Sequence, residues 1–246
     1  MSVPHIQTPP RREPAVNLPG VVVALLLVFA AIHAIREYLL GPTTEAEVLF
    51  LFSFIPARVF DPSWYGLLPG AEGARIWSFL TYAFLHADWM HLIFNGLWMA
   101  AFGSAVAYRF GTSRFLIYSA AGAIGGSLLH FGVHPDSTVP MVGASAAVSA
   151  HMAGAARFVF AGGRSPMAFR QNRSAAAYRY PAPSLADAVR DRRVLTFLGV
   201  WFGLNLLFGI FGSNTIASGA IAWEAHIGGF VVGLLLFSLL DPVESR

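Results

Sequence analysis

The chain has no cysteine. That excludes a disulfide framework, cysteine–zinc sites and a thiol nucleophile. It has no lysine either, so all 16 basic residues are arginine, a usage expected of a GC-rich bacterial genome. Charge of both signs is scarce: 12% of residues are charged, against about 25% in soluble domains. What fills the chain instead is apolar: 56% of its 246 residues are hydrophobic, and the mean hydropathy is +0.59. This composition implies an all-α membrane protein. The net charge of +3 sits in arginines between apolar stretches. It therefore reads as membrane orientation, and no nucleic-acid partner is expected.

A helix needs about 20 apolar residues to cross the hydrocarbon core. Six candidate spans follow: residues 19–40, 76–108, 115–133, 139–156, 194–211 and 221–240. Gly212-Ser213-Asn214 punctuates the last long uncharged stretch and is expected to be its turn. Arg11 and Arg12, Arg109 and Arg114, and eight arginines from Arg157 to Arg193 fall on one side of such a bundle. The positive-inside rule then makes that side, and both termini, cytoplasmic. No small-residue cleavage site precedes Arg36-Glu37, so the first apolar stretch reads as a retained span. No polar linker divides the chain. We expect a tail over 1–18, one six-span domain over 19–241 with a long Arg-rich cytoplasmic loop at 162–193, and a tail over 242–246.

Polar and ionisable groups are costly in a bilayer and commonly mark function there. The second candidate span holds His86, Asp88, His91 and Asn95. His91 and Asn95 are four apart and share a helix face, whereas His86 on the same helix would point elsewhere. The fourth span is rich in small residues around Gly143-Ala144-Ser145, which suits the bundle centre. The sixth carries His226, followed by a Gly229-x3-Gly233 face that allows close helix approach. Packing of spans four and six would bring His226 toward Ser145.

A serine hydroxyl is a poor nucleophile until a base takes its proton, and neutral imidazole is suited to that. The oxyanion formed on attack needs donors. Asn95, His91 and the Ser145 N–H are the candidates. No carboxylate is placed to complete a triad, since Asp88 lies at the outer end of span two and Glu224 is on the wrong face to orient His226. The reading is a Ser145/His226 dyad. No cofactor and no metal are expected, because His86, His91 and His226 show no carboxylate or thiolate partners at ligand spacing and the chain has no His-Glu-x-x-His motif.

Three segments, in this order, resemble the rhomboid intramembrane serine proteases: His86-x4-His91-x3-Asn95, Pro140-Met141-Val142-Gly143-Ala144-Ser145, and Ala225-His226-x2-Gly229-x3-Gly233. The resemblance implies a six-transmembrane-helix bundle. It implies Ser145 as nucleophile, His226 as base, and His91, Asn95 and the Ser145 N–H at the oxyanion hole. It also implies a long first external loop in the membrane plane and a short fourth helix starting near Ser145. Substrates would be single-span membrane proteins cut in or beside the bilayer. The setting expected is a bacterial cytoplasmic membrane. Ala146 stands where the family usually has glycine, and its methyl is expected to loosen the contact between spans four and six. Ser149 stands where some bacterial members stack a tyrosine on the histidine. Two other readings are open: a rhomboid-like binder that does not cut, and a transporter or metal enzyme using His86, His91 and His226.

Overall fold

A computed structural model describes residues 18–159, 178–211 and 222–243. Its helices of ten or more residues are α1 (Gly20–Leu39), α2 (Pro42–Phe52), α3 (Ala71–Thr81), α4 (Trp89–Phe110), α5 (Thr112–Val133), α6 (Ser145–Phe158), α7 (Arg192–Phe211) and α8 (Trp223–Leu240); a single helical turn lies at Leu185–Ala188. Short 3-10 turns lie at Pro56–Val59, Pro62–Trp64 and Tyr82–Phe84, and α4 contains a π-helical stretch over Met99–Gly103. The protein is an all-α membrane protein. Among the described residues, α1, α4, α5 and α8 are long and apolar enough to cross a bilayer. Their outward residues stay apolar: Leu235 and Leu239 of α8 are 66% and 79% exposed. On a membrane helix such a face meets lipid.

Small residues place α6 at the centre. Every residue from Ala146 to Phe158 is buried, yet the helix has only 14 residues. At 1.5 Å per residue it reaches about 21 Å, short of the roughly 30 Å core. It is enclosed by α4, α5 and α8. Glycines on α5 make this possible, because a Cβ on Gly122 would strike the Ala150 side chain and one on Gly126 the Ala146 side chain. The Tyr118 hydroxyl of α5 lies 2.9 Å from Ala150 O on α6 and 2.8 Å from Gly233 O on α8. One buried phenol thus ties three helices.

The two ends of the bundle differ in chemistry. At one end, buried Arg109 pairs with Asp241 at 2.7 Å and donates to Tyr178 O and Tyr180 O, while Arg157 donates to Pro183 O. Paired, hydrogen-bonded guanidinium groups are how arginine is accommodated out of water. At the opposite end, Arg36 pairs with Glu45 and donates to His86 O. The segment between α1 and α4 folds over this second end. Its fully buried Arg58 donates to Phe50 O and Ser53 O. Burial pulls that guanidinium down to about 10, still cationic at neutral pH. Phe54 and Met141 exchange two backbone hydrogen bonds, of 3.0 and 2.8 Å, and pin this segment to the chain leading into α6.

Two span boundaries differ from the sequence expectation. The stretch 76–108 is not one helix: α3 ends at Thr81, and the membrane helix starts at Trp89. Asp88 is its N-cap, accepting the His91 N–H at 2.7 Å. Hydropathy misses the break because the intervening Tyr82-Ala83-Phe84-Leu85 is apolar. Likewise residues 139–144 are not helical, and α6 starts at Ser145. The turn at Gly212-Ser213-Asn214 and residues 162–177 of the Arg-rich loop lie outside the described residues.

Candidate active site

Ser145 is the first residue of α6. Its N-cap, Ala144, offers no side-chain acceptor. The first N–H groups of a helix have no intrahelical partner and carry the positive end of its dipole. The approach to Ser145 is set by Gly143, which has φ +119° and donates its N–H to Tyr82 O at 3.0 Å. That φ strains any residue with a Cβ. A Cβ here would also lie 2.7 Å from the His91 ring atoms Cε1 and Nε2. Glycine is needed twice over, for the turn and for the close approach of His91.

Asn95, one turn beyond His91, is buried and donates Nδ2 to His91 O at 3.0 Å. The same nitrogen lies 3.7 Å from the position a Gly143 Cβ would take. Nδ1 of His91 accepts from the Ala87 N–H at 3.4 Å. A neutral ring then carries its proton on Nε2, the atom facing Gly143. His91 and Asn95 therefore meet the turn two residues before Ser145. His86 also belongs to this neighbourhood, contrary to the helical-wheel expectation. It lies on the loop before α4, fully buried, with its ring edge-on to His91 at 5.3 Å. The wheel assumed a helix through residues that are not helical.

His226 is in the first turn of α8. A Cβ on Gly229 would fall on the carbonyl of Ala146, and one on Gly233 would lie 2.7 Å from Ala150 Cα. The matching steps of four show that α6 and α8 run parallel in contact. His226, three residues before Gly229, lies about 4.5 Å further toward the N-terminal end of α8 by the helical rise, at the level of Gly143 to Ser145. The structure thus gathers Ser145, His226, His91, Asn95, Gly143 and Gly229 at one end of α6 and α8, with Gly233 one turn deeper.

Ala146 departs from expectation. Its methyl, fully buried, points at Gly126 of α5, and α8 rests on its backbone instead. The methyl therefore does not separate α6 from α8. Ala146→Gly should not tighten the α6–α8 contact. It is expected to cost about 1–2 kcal/mol, from helix propensity and one buried methyl, read as a lower unfolding temperature in detergent. Ser149 donates its hydroxyl to Ser145 O at 2.8 Å, which fixes it within α6.

Sequence reasoning missed a second cluster at the same end. Glu224 is buried, with Oε1 2.6 Å from His134 Nε2 and Oε2 3.7 Å from His130 Nδ1. Its engagement with α5 was not foreseen. The i, i+4 spacing of His130 and His134 was the available signal.

A family model described as the Rhomboid domain matches residues 73–241. The chain is 27% identical over 171 residues to the rhomboid protease GlpG of Klebsiella pneumoniae, covering 69% of this chain and 50% of that protein. It is 28% identical over 112 residues to Rhomboid-like protease 3 of Toxoplasma gondii, covering 43% and 42%. It is 33% identical over 132 residues to RHOMBOID-like protein 2 of Arabidopsis thaliana, covering 46% and 40%. The matches thus span about half or less of these relatives' own lengths.

Proposed function

This chain belongs to the rhomboid family, and we propose that it is an intramembrane serine endopeptidase. Ser145 Oγ attacks the scissile carbonyl while His226 accepts its proton, and the protonated imidazole then gives that proton to the leaving amine. Water, activated by the same histidine, releases the acyl group. The Ser145 N–H, His91 Nε2–H and the second Asn95 Nδ2–H receive the oxyanion. His91 and Asn95 are catalytic residues in this reading because they touch the reacting oxygen. Gly143, Gly229 and Gly233 set approach distances.

The observation that carries the reading is the contact of the Gly229 and Gly233 face with the Ala146–Ala150 backbone. It supports a level placement of His226 and Ser145 beside the His91 ring. Substrates are single-span membrane proteins, because the site lies among membrane helices whose outer faces are apolar. The chain sits in a bacterial cytoplasmic membrane as a six-span protein with both termini in the cytoplasm, as the arginine distribution supports.

The test is cleavage of single-span model substrates by purified protein in detergent, followed across pH. A base must be neutral to accept a proton, so kcat/KM is expected to fall on the acid side as His226 becomes imidazolium, and to level off above it. A flat profile through the histidine range, with chemistry rate-limiting, would contradict His226 as the base.

A further inference from the structure

The cluster of His130, His134 and Glu224 lies outside the proposed catalytic machinery, and its ligand atoms all fall within 4.8 Å of one another. His130 and His134 stand one turn apart at the end of α5, with ring centroids 5.3 Å apart. Glu224 reaches them from the first turn of α8. The sequence expectation of no metal rested on His86, His91 and His226, which lack a carboxylate or thiolate partner at ligand spacing, and not on these two histidines. The fold supplies them with a carboxylate, 90 residues from His134 in the chain.

Three features distinguish this cluster from an ordinary ion pair. His130 is 9% exposed, and its Nδ1 is buried without a hydrogen-bond partner. At 3.7 Å from Glu224 Oε2 it is too far for a hydrogen bond. Its separation nevertheless suits two ligands of one ion, since donors on a tetrahedral Zn2+ at about 2.0–2.1 Å stand about 3.3 Å apart. Second, the donors are two imidazoles and one carboxylate, a set that favours a borderline transition ion over Ca2+ or Mg2+. Third, the His134 side chain is 47% exposed while Glu224 is 6% exposed. One ligand faces outward, which gives an ion an entry path and leaves a coordination position for water.

We propose that His130, His134 and Glu224 form a Zn2+ site joining the outer ends of α5 and α8. On binding, His134 ligates through Nε2 as a neutral imidazole protonated at Nδ1. An imidazolium gives its Nε2 proton to solvent, and a neutral ring exchanges it for one at Nδ1. The 2.6 Å His134–Glu224 pair opens to ligand separation around the ion. The ion would fasten the first turn of α8, two residues before His226, to α5. It is a binding site, with no part in the proposed acyl transfer.

The experiment uses the full chain without a histidine tag, purified in detergent, stripped with chelator and titrated with Co2+ and then Zn2+. Wild type is expected to develop the intense visible bands of four- or five-coordinate Co2+, to lose them as Zn2+ displaces it, and to retain about one Zn2+ per chain after dialysis. His134→Ala removes a half-exposed side chain and Glu224→Gln keeps the shape of the buried one. Each is expected to weaken binding at least about tenfold. Ser145→Ala is expected to bind as wild type does, which separates this result from the fate of the protease reading. Wild type that shows no Co2+ bands, or binding unchanged in both His134→Ala and Glu224→Gln, would overturn the site.

Discussion

Ser145→Ala is expected to abolish cleavage, with a fall in kcat on the order of 10⁶-fold, the scale seen when a nucleophile that works as one unit with its base is removed. His226→Ala should fall by a comparable factor. The double variant should be no worse than either single one, because neither group has a function without the other. That non-additivity separates a dyad from two independent contributions. Both single variants should fold. Ser145 lies in the first turn of α6, and Ser149 uses only its backbone carbonyl. Unfolding temperature in detergent and substrate capture are expected to be close to wild type while turnover disappears. If Ser145→Ala retained a tenth of wild-type turnover, the nucleophile would be misassigned.

Gly229→Ala carries the second large effect. The new methyl would fall on the Ala146 carbonyl, deep inside van der Waals contact. A flexible side chain could swing away, but a backbone carbonyl in a fully buried helix cannot. Overpacking costs typically 1–3 kcal/mol, and with backbone as the obstacle we expect about 3. The relief available is to push α8 off α6, and α8 carries His226. A shift of about 1 Å in a catalytic group can cost about 100-fold. The variant should therefore lose both unfolding temperature and kcat. Gly132→Ala is the control, since a Cβ there meets nothing within 4 Å. It should be neutral or slightly stabilising. Equal behaviour of the two variants would show that the α6–α8 contact does not set the site.

The membrane helices and the close-packed glycine face were legible in the sequence, for particular reasons. Ser145 and His226 stand out because charge is scarce around them, and Gly229 and Gly233 announce a close-packed face by their spacing. What was hidden depends on where helices start. Apolar residues continue through the loops before α4 and α6, so hydropathy joined them to the helices. Asp88 marked the true start of α4 as an N-cap. Taking His86 as helical then sent its ring the wrong way. The complementary glycines Gly122 and Gly126 were equally available but unread, because their partners, Ala150 and Ala146, lie on another helix. Glu224 was hidden for a like reason: its histidines lie 90 and more residues before it.

The most direct test of the central assignment is covalent trapping of the nucleophile. Purified protein in detergent would be treated with a fluorophosphonate, which phosphonylates a serine, with loss of fluoride, only when an adjacent base activates it, and the modified peptide identified by mass spectrometry. One adduct is expected, on Ser145, absent in His226→Ala although Ser145 is still there. An adduct on another residue, or equal labelling of Ser145 without His226, would contradict it.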